Sequence, residues 1–272
     1  MMAQAQTQAT GAQAPVVLHP ATAAGDRCDL SVEGLCKTFG RDKAILRGIT
    51  FSVRSREAVA LIGSNGAGKS TALRCAMRLI EPDKGAVSLF GEDVTSARFQ
   101  TLRNLRADVG FVFQKHNLVP RVSALTNVIH GNLGRTGGIR GWSQMLAPSK
   151  LRERAMLCLQ RVGLADQAMK RADQLSGGQS QRVAIARALM QQPKMIVADE
   201  PVASLDPIAG HEVMELFHQL AGEEGITLLF TSHNVEQAIA YSDRVLALKR
   251  GEIVLDAPSR SLVSEDLSRH YG

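Results

Sequence analysis

The chain has 272 residues, of which 44% are hydrophobic and 21% are charged, which allows one large α/β domain or two small ones. The net charge is +6, but no block of lysine and arginine concentrates it, and aromatic residues make up only 4% of the chain. These values do not favour a base-stacking surface for nucleic acid, and a mildly basic, well-solvated surface is the simpler interpretation.

The cysteines give no sign of a disulfide framework or a metal site. Cys28, Cys36, Cys75 and Cys158 show no C-x-x-C spacing and no accompanying histidine cluster, so we interpret them as reduced, mostly core thiols of a cytosolic protein. No apolar run approaches the roughly 18 residues of a membrane helix, and the N-terminus lacks the pattern of a signal peptide. The protein is therefore predicted to stay in the cytoplasm unless a membrane component recruits it.

The first part of the chain changes from a polar tail to β-strands. Residues 1–28 are rich in Ala, Gln, Thr and Pro and cannot bury enough apolar surface to fold, so we predict a disordered tail. From Leu30 the sequence becomes β-like, and residues 45–53 alternate in hydrophobicity over their last half, which predicts a second strand. A fully apolar run at residues 58–62 predicts a buried strand.

A glycine-rich segment follows that strand and precedes a helical pattern that we expect to continue to about Ile80. The segment reads Gly63, Ser64, Asn65, Gly66, Ala67, Gly68, Lys69, Ser70 and Thr71. This is a P-loop (Walker A motif) in the context of strand, turn and helix that such a loop needs. Its glycines let successive backbone N–H groups face an anion, Lys69 supplies a charge for the β- and γ-phosphates, and Ser70 can hold Mg²⁺. The sequence therefore predicts binding of a nucleoside triphosphate.

The remaining elements alternate around a helical insert. Strands are predicted at residues 85–91 and 109–113, and Gln114 follows the second. Residues from about 115 to 178 are mainly helical, with a glycine-rich break at residues 131–141 and helical spacing of Leu151, Ala155, Cys158 and Val162. Strands at residues 194–198, 226–230 and 244–248 then alternate with helices around residues 213–220 and 235–240. This order predicts a mainly parallel sheet covered on both faces.

Two further segments can carry chemistry. Asp199 and Glu200 end an apolar strand, so both carboxylates are expected at the carboxyl edge of the sheet beside the P-loop. Asp199 suits a Walker B role with Mg²⁺, and Glu200 suits a general base or water-orienting role. Residues 175–179 open a helix that we predict over residues 181–190, with Ser176 as N-cap and two glycines that allow close approach to an anion.

With these motifs in place, the chain resembles the ATP-binding cassette (ABC) ATPases from about Leu30 to Pro258. Residues 175–179 are similar to the signature segment of that family, residues 204–206 to its D-loop, and His233 to its switch histidine. The resemblance implies the ABC cassette fold of the P-loop NTPases, an α/β fold with a mainly parallel sheet, an antiparallel β part and a helical insert. It places the nucleotide-binding domain at residues 29–258, with a short tail or helix at residues 259–272.

The resemblance also implies roles for individual residues. Two cassettes pair head to tail, and each ATP lies between one P-loop and the signature segment of the other copy. Glu200, His233 and Lys69 are the implied catalytic residues, and Ser70, Gln114 and Asp199 the implied Mg²⁺ set. The implied ATP contacts are Phe39 against adenine, residues Gly63 to Thr71, Gln114, and, from the other copy, Ser176, Gly177, Gly178, Gln179 and Asp206.

Within the family, several segments are most similar to phosphonate-import ATPases: residues 118–123, 126–135, 161–166 and 198–207, and the stretch from Gly134 to Trp142. Residues 232–238 are closer to importers in general, Ser180 replaces a common glutamine, and Phe39 a common tyrosine. The implied partners are a second copy of the chain, an integral membrane permease and, indirectly, an extracytoplasmic solute-binding protein, but no nucleic acid. The implied location is the cytoplasmic face of the cell (inner) membrane, as a peripheral protein.

Other functions remain open at this point. An ABC importer ATPase for an amino acid, phosphate or a lipid has the same motifs, because the cassette does not touch the cargo. A soluble ABC ATPase of DNA repair or translation is a rival, although the chain has neither a long heptad insertion nor tandem cassettes. A simple P-loop kinase explains neither the signature segment nor Gln114.

Overall fold

The structure is a computed structural model that describes residues 27–40, 43–136, 143–263 and 267. Its strands are, in chain order, β1 (Cys28–Phe39), β2 (Lys43–Arg54), β3 (Ala58–Ile62), β4 (Lys84–Leu89), β5 (Glu92–Asp93), β6 (Val109–Val112), β7 (Met195–Ala198), β8 (Thr227–Ser232), β9 (Arg244–Lys249) and β10 (Glu252–Pro258). Its helices are α1 (Lys69–Ala76), α2 (Phe99–Ala107), α3 (Ala124–His130), α4 (Leu133–Thr136), α5 (Ser149–Arg161), α6 (Gly177–Leu189), α7 (Pro207–Glu224) and α8 (Val235–Ala240).

The larger sheet has the strand order β10-β9-β3-β8-β7-β6, and all its neighbours are parallel except the pair β10 and β9. Strands β3, β7 and β8 are buried along their whole length. Alternate residues face two different cores: Ala58 and Ala60 face one, and Val59 and Leu61 the other. Continuous apolar runs form these strands because both faces of the sheet are covered, which confirms the predicted parallel core.

The smaller sheet is antiparallel, with the order β2-β1-β4-β5. Its residues Leu30 and Val53 share one core with Leu73 of α1 and Leu229 of β8. The antiparallel sheet and α1 therefore cover one face of the larger sheet, which confirms the predicted antiparallel part. Helices α3, α5, α6, α7 and α8 contribute to the core on the other face.

Helices α3, α4 and α5 lie between β6 and β7, where the sequence predicts a helical insert. On α5, Ala155 and Cys158 are buried, as the helical spacing predicts, and the following Val162 is buried as well. The boundaries of the insert as a separate subdomain stay a prediction. Residues 137–142, in the predicted glycine-rich break and the stretch up to Trp142, lie outside the described residues.

Two helices begin or end at residues that differ from those predicted. Helix α1 ends at Ala76 rather than near Ile80, because Arg78 adopts a left-handed φ of 50° and its guanidinium donates to the carbonyl oxygen of Ala97. Helix α6 begins at Gly177, not at Gln181, because Ser176 and Gln179 form a capping box at its first turn. The sequence analysis did not identify α2 or β10.

The ends of the chain extend beyond what is described. Of the predicted disordered tail, residues 1–26 lie outside the described residues, and β1 begins at Cys28. After β10 there is a short 3-10 turn, Ser259–Ser261, and most of the remaining predicted helix also lies outside. In the described residues, Cys75 and Cys158 are buried, Cys28 and Cys36 are half-buried, and none of the four forms a disulfide. No described helix combines the length and apolar character needed to span a bilayer.

The core on the α7 face gives a test of packing. Phe217 is fully buried there, whereas Phe99 on α2 is 80% exposed. Phe217→Ala should lower the free energy of unfolding by about 3–5 kcal/mol, because it removes a buried ring and leaves a cavity. Phe99→Ala is the matched control and should change it by no more than about 0.5 kcal/mol. Urea unfolding followed by circular dichroism measures both, and equal values would contradict the assignment of this core.

Candidate functional site

A polar cleft lies where the central parallel strands of the larger sheet end. Strand β3 leads into the P-loop, β6 is followed by Gln114, β7 by Asp199, and β8 by His233. These strands are neighbours in the order β3-β8-β7-β6, so their carboxyl ends share one edge. The cleft is lined by Lys43, Ile45, Asn65, Gly66, Gly68, Lys69, Ser70, Thr71, Gln114, Glu200, Ala203 and His233.

The P-loop backbone requires its first and last glycines. Gly63 has a φ of 153°, and a Cβ atom there would lie 2.3 Å from the carbonyl oxygen of Leu248. Gly68 precedes α1 with a left-handed φ of 110°, and its Cβ would lie 3.1 Å from the carbonyl oxygen of Ile45. The loop therefore passes close to neighbouring backbone and opens α1 with free N–H groups, as anion binding requires.

Lys69 is held at the base of the cleft, with only 4% of its surface exposed. Its Nζ donates to the carbonyl oxygen of Gly63 over 2.7 Å and lies 3.1 Å from Oε1 of Glu200. A largely buried ammonium group is stable there because both contacts are with oxygen. Lys69 and Glu200 thus form an ion pair inside the cleft.

Asp199 is 1% exposed and is fully engaged by polar neighbours. Its Oδ1 accepts hydrogen bonds from the Ser70 hydroxyl over 2.7 Å and from the Thr231 hydroxyl over 3.2 Å. Its Oδ2 lies 3.5 Å from Nη2 of Arg74, which faces it from α1. These contacts supply hydrogen-bond partners to both oxygens of a buried carboxylate, and they bring it beside the Ser70 hydroxyl.

Glu200, a non-glycine residue of the cleft, has a strained backbone, because its φ is 46°, in the left-handed region. Its N–H donates to the Thr231 hydroxyl over 2.8 Å, and its Oε2 accepts from Nε2 of Gln114 over 3.4 Å. Nδ1 of His233 is 4.0 Å from the same carboxylate. A non-glycine residue in this conformation costs about 1–3 kcal/mol and persists where surrounding contacts fix it, often at functional sites.

This arrangement can bind a polyanion and activate water. The P-loop N–H groups and Lys69 supply positive charge, while Glu200 offers a carboxylate oxygen at the edge of the same cleft. Ser70 and Asp199 place oxygen donors 2.7 Å apart, the donor type that Mg²⁺ prefers. Among the described residues there is no cluster of three or more His, Cys, Asp or Glu.

Several predicted site residues do not line this cleft. Phe39, at the end of β1, has an exposed ring, and Nζ of Lys37 lies 5.5 Å from its centroid. Gly63 and Ser64 contribute carbonyl oxygens to Lys69 rather than cleft surface. Asp206 is the exposed N-cap of α7, where its side chain accepts from the N–H of Ala209. The adenine and partner-copy roles of Phe39 and Asp206 stay predictions.

The signature segment, residues 175–179, also lies outside the cleft. Ser176 caps α6 by accepting from the N–H of Gln179 over 3.2 Å, and the Gln179 side chain accepts from the N–H of Ser176 over 3.0 Å. Ser176 and Gly177 are exposed. A Cβ at Gly177 would lie 3.0 Å from Leu205, so this helix start packs beside the turn that leads to Asp206. Two exposed helix starts, those of α6 and α7, therefore lie side by side.

Sequence reasoning missed two polar groups of the site. Thr231 follows the predicted strand at residues 226–230, but the register that places β8 beside β7 is not visible in the sequence. Arg74 follows Ser70 by four residues on α1, a spacing that puts both side chains on one helix face and could have identified it. Both groups contact the Asp199 carboxylate.

Comparison with known proteins gives consistent matches. The ABC transporter family profile matches residues 46–203, more than half of the chain. The phosphonates import ATP-binding protein PhnC 2 of Oceanobacillus iheyensis is 44% identical over 243 residues, which cover 89% of this chain and 95% of the relative. The PhnC protein of Nitratidesulfovibrio vulgaris is 44% identical over 252 residues, 93% of this chain and 94% of that protein.

Solved structures show the same fold. The dimeric ATP-binding cassette MJ0796 in a post-hydrolysis state with ADP and Pi has a TM-score of 0.75 and 32% identity, over 86% of this chain and all of that one. CbiO1 of Clostridium perfringens, part of the transporter complex CbiONQ, has a TM-score of 0.76 and 28% identity, over 87% of this chain and 90% of the other.

The Thr231 hydroxyl gives a test of the site geometry. Thr231→Val keeps the β-branched shape but removes the group that bonds to both Glu200 and Asp199. We expect nucleoside triphosphate turnover to fall about tenfold or more, the usual effect of losing a hydrogen bond to a charged group. Thr231→Ser keeps the hydroxyl and should retain most of the turnover. A phosphate-release assay compares the two, and equal rates for Val and Ser would exclude a positioning role of this hydroxyl.

Proposed function

Because the chain belongs to the ABC transporter family, we propose that it is the ATP-hydrolysing, energy-coupling subunit of an importer for phosphonates or related phosphorus oxyanions. The observation that carries the ATPase assignment is the convergence of Lys69, Ser70, Asp199 and Glu200 at one edge of the parallel sheet. The cargo class is supported by relatives of 41–46% identity that are named for phosphonate import.

The P-loop half of the site binds the phosphates of ATP. Gly66, Gly68, Lys69 and Ser70 line the cleft at the start of α1, and Lys69 is proposed to exchange its contact with Glu200 for the phosphate oxygens. Ser70 and Asp199 would hold Mg²⁺, with Gln114 near them. When bound, that ion neutralises part of the charge on the β- and γ-phosphates.

Hydrolysis then depends on a carboxylate that faces the γ-phosphate. Glu200 is proposed to orient and deprotonate the attacking water, since its carboxylate lies between Lys69, Gln114 and His233. Thr231 holds the Glu200 backbone in its left-handed conformation. His233, exposed at the end of β8, is proposed to contact the γ-phosphate. Protein dipoles and charges that are fixed before the reaction are the main source of such catalysis.

The second half of the site is proposed to come from another copy of the chain. Ser176, Gly177 and Gly178 form the start of α6, which does not line the cleft of the same chain and packs beside the Asp206 turn instead. A head-to-tail dimer would bring this helix start, with its free N–H groups, to the γ-phosphate bound by the partner copy. A solved cassette with 32% identity is dimeric in its ADP and Pi state.

Coupling to transport needs partners in the membrane. We propose that the chain is a peripheral protein at the cytoplasmic face of the cell membrane, where it binds an integral permease through the helical insert. An extracytoplasmic solute-binding protein would deliver the cargo. Another cargo, such as an amino acid, phosphate or a lipid, is the alternative that the cassette itself cannot exclude, because none of its residues contacts cargo. A soluble ABC ATPase is the second alternative.

Glu200→Gln tests the catalytic assignment. The variant keeps the size and hydrogen-bonding reach of the side chain but loses its basicity, so we expect ATP to bind and kcat to fall by about 10²-fold or more. The protein should then accumulate as an ATP-bound dimer, visible by size-exclusion chromatography with light scattering. Glu252→Gln, an exposed position on β10, is the control and should hydrolyse ATP like the wild type. Normal turnover of the Glu200 variant would remove Glu200 from this role.

Two experiments test the partners and the cargo separately. Purification of the complex from native membranes should recover an integral membrane protein, and recovery with ribosomes or DNA alone would contradict a transport function. Isothermal titration calorimetry with the associated solute-binding protein should show that it binds a phosphonate such as methylphosphonate. Binding of another solute with no response to phosphonates would overturn the cargo class while leaving the ATPase assignment intact.

A further inference from the structure

One arginine of the signature helix α6 contacts the loop that follows Gln114. We define this loop, residues 114–123, as the Gln114 loop. Nη1 of Arg187 donates to the carbonyl oxygen of Asn117 over 2.6 Å, and Nη2 donates to that of His116 over 2.9 Å. Asn117 has a left-handed φ of 50°. The carbonyl oxygens of His116 and Asn117 both contact the same guanidinium group. The contact therefore depends on the planar fork of arginine, which a lysine cannot reproduce at both oxygens.

The position of Arg187 is itself fixed by close packing. A Cβ atom at Gly131, just after α3, would lie 2.2 Å from the carbonyl oxygen of Arg187, so the two helices approach as closely as a glycine allows. Burial lowers the pKa of Arg187, but an arginine guanidinium group remains charged at neutral pH.

The same loop is also bound to the residues that precede the signature segment. The N–H of Asp173 donates to the carbonyl oxygen of Pro120 over 3.0 Å, and the N–H of Ala172 donates to that of Val122 over 3.0 Å. These bonds lie only a few residues before Ser176. The Gln114 loop is thus connected to the signature helix ahead of its first turn and, through Arg187, near its last turn.

At its start, the loop is connected to the catalytic carboxylate. Gln114 donates to Glu200 over 3.4 Å, and one residue, Lys115, lies between it and His116, the first residue whose carbonyl oxygen Arg187 binds. The backbone from Gln114 to His116 therefore connects the contact with Glu200 to the contact with α6. Arg187 does not line the P-loop cleft, so its substitution leaves the phosphate-binding groups in place.

We propose that Arg187 is a positioning residue that holds the Gln114 loop on the signature helix, so that nucleotide contact at Gln114 sets the position of Ser176 for the partner copy. This inference rests on the proposed head-to-tail dimer. It predicts that Arg187 controls ATP-dependent dimerisation while ATP binding by the P-loop of a single copy is independent of it.

The test uses the full chain in the Glu200→Gln background, where the ATP-bound dimer accumulates. Adding Arg187→Gln removes both charged hydrogen bonds, so the protein concentration needed for half-dimerisation in ATP should rise about tenfold or more. The affinity of the single copy for a fluorescent ATP analogue should stay within about twofold. Arg187→Lys keeps the charge and reaches one carbonyl oxygen, so its effect should be intermediate. Analytical ultracentrifugation measures the first quantity and fluorescence titration the second.

Arg182→Gln is the matched control, because Arg182 lies on the same helix and pairs with Glu212 of α7 over 3.0 Å at the surface. It should dimerise like the Glu200→Gln parent. If Arg187→Gln does not fold, as judged by thermal unfolding, Arg187→Lys alone decides the proposal. Unchanged dimerisation of the Arg187 variants beside a dimerising parent would overturn the inference, as would an equal loss of single-copy ATP affinity. A parent that does not dimerise in ATP would instead overturn the proposed function on which the inference rests.

Discussion

The parallel pairing of β3, β8, β7 and β6 determines where the polar groups of the cleft lie. Their register places Ala198 beside Phe230, so the next residues along, Asp199 and Thr231, are also neighbours. The P-loop leaves the adjacent strand at the same edge, and Gln114 follows the outermost one. Because alternate side chains of these strands fill two separate cores, a shift by one residue would turn each apolar set to the wrong face. The packing that stabilises the sheet therefore also fixes the site.

A site built in this way contains charges that are almost completely buried. Lys69 and Asp199 would each be costly to bury alone, but each has oxygen or nitrogen partners at hydrogen-bond distance. The left-handed backbone of Glu200 adds a further cost, which the Thr231 hydroxyl partly offsets. Polar groups held by fixed contacts of this kind reduce the rearrangement needed during a reaction. The favourable free energy of packing in the rest of the core offsets this local cost.

The sequence was sufficient to predict the parts of the fold that depend on local patterns. Continuous apolar runs identified β3 and β7, and glycine spacing identified the P-loop, because both patterns have local physical causes. The predicted end of α1 was wrong because it depends on Arg78, whose guanidinium donates to the distant carbonyl oxygen of Ala97. The predicted start of α6 was wrong because it depends on Gln179, whose side chain accepts from the N–H of Ser176, the N-cap. Thr231 and Arg187 could not be predicted, since their partners are distant in sequence and become neighbours only through sheet register and helix packing.

The relation between the two halves of the proposed site follows from the same connectivity. The cleft lies at the edge of the parallel sheet, whereas the exposed Ser176 belongs to a helix whose start packs beside the Asp206 turn. Within one chain Ser176 does not line this cleft, but the Gln114 loop contacts both elements, through Glu200 at one end and α6 at the other. In the proposed dimer, the route from the nucleotide to the second copy therefore runs from Gln114 through the Gln114 loop to Arg187 and α6. The proposed coupling requires that this backbone keep its contacts at both ends, because Glu200 and α6 are otherwise held by different parts of the core.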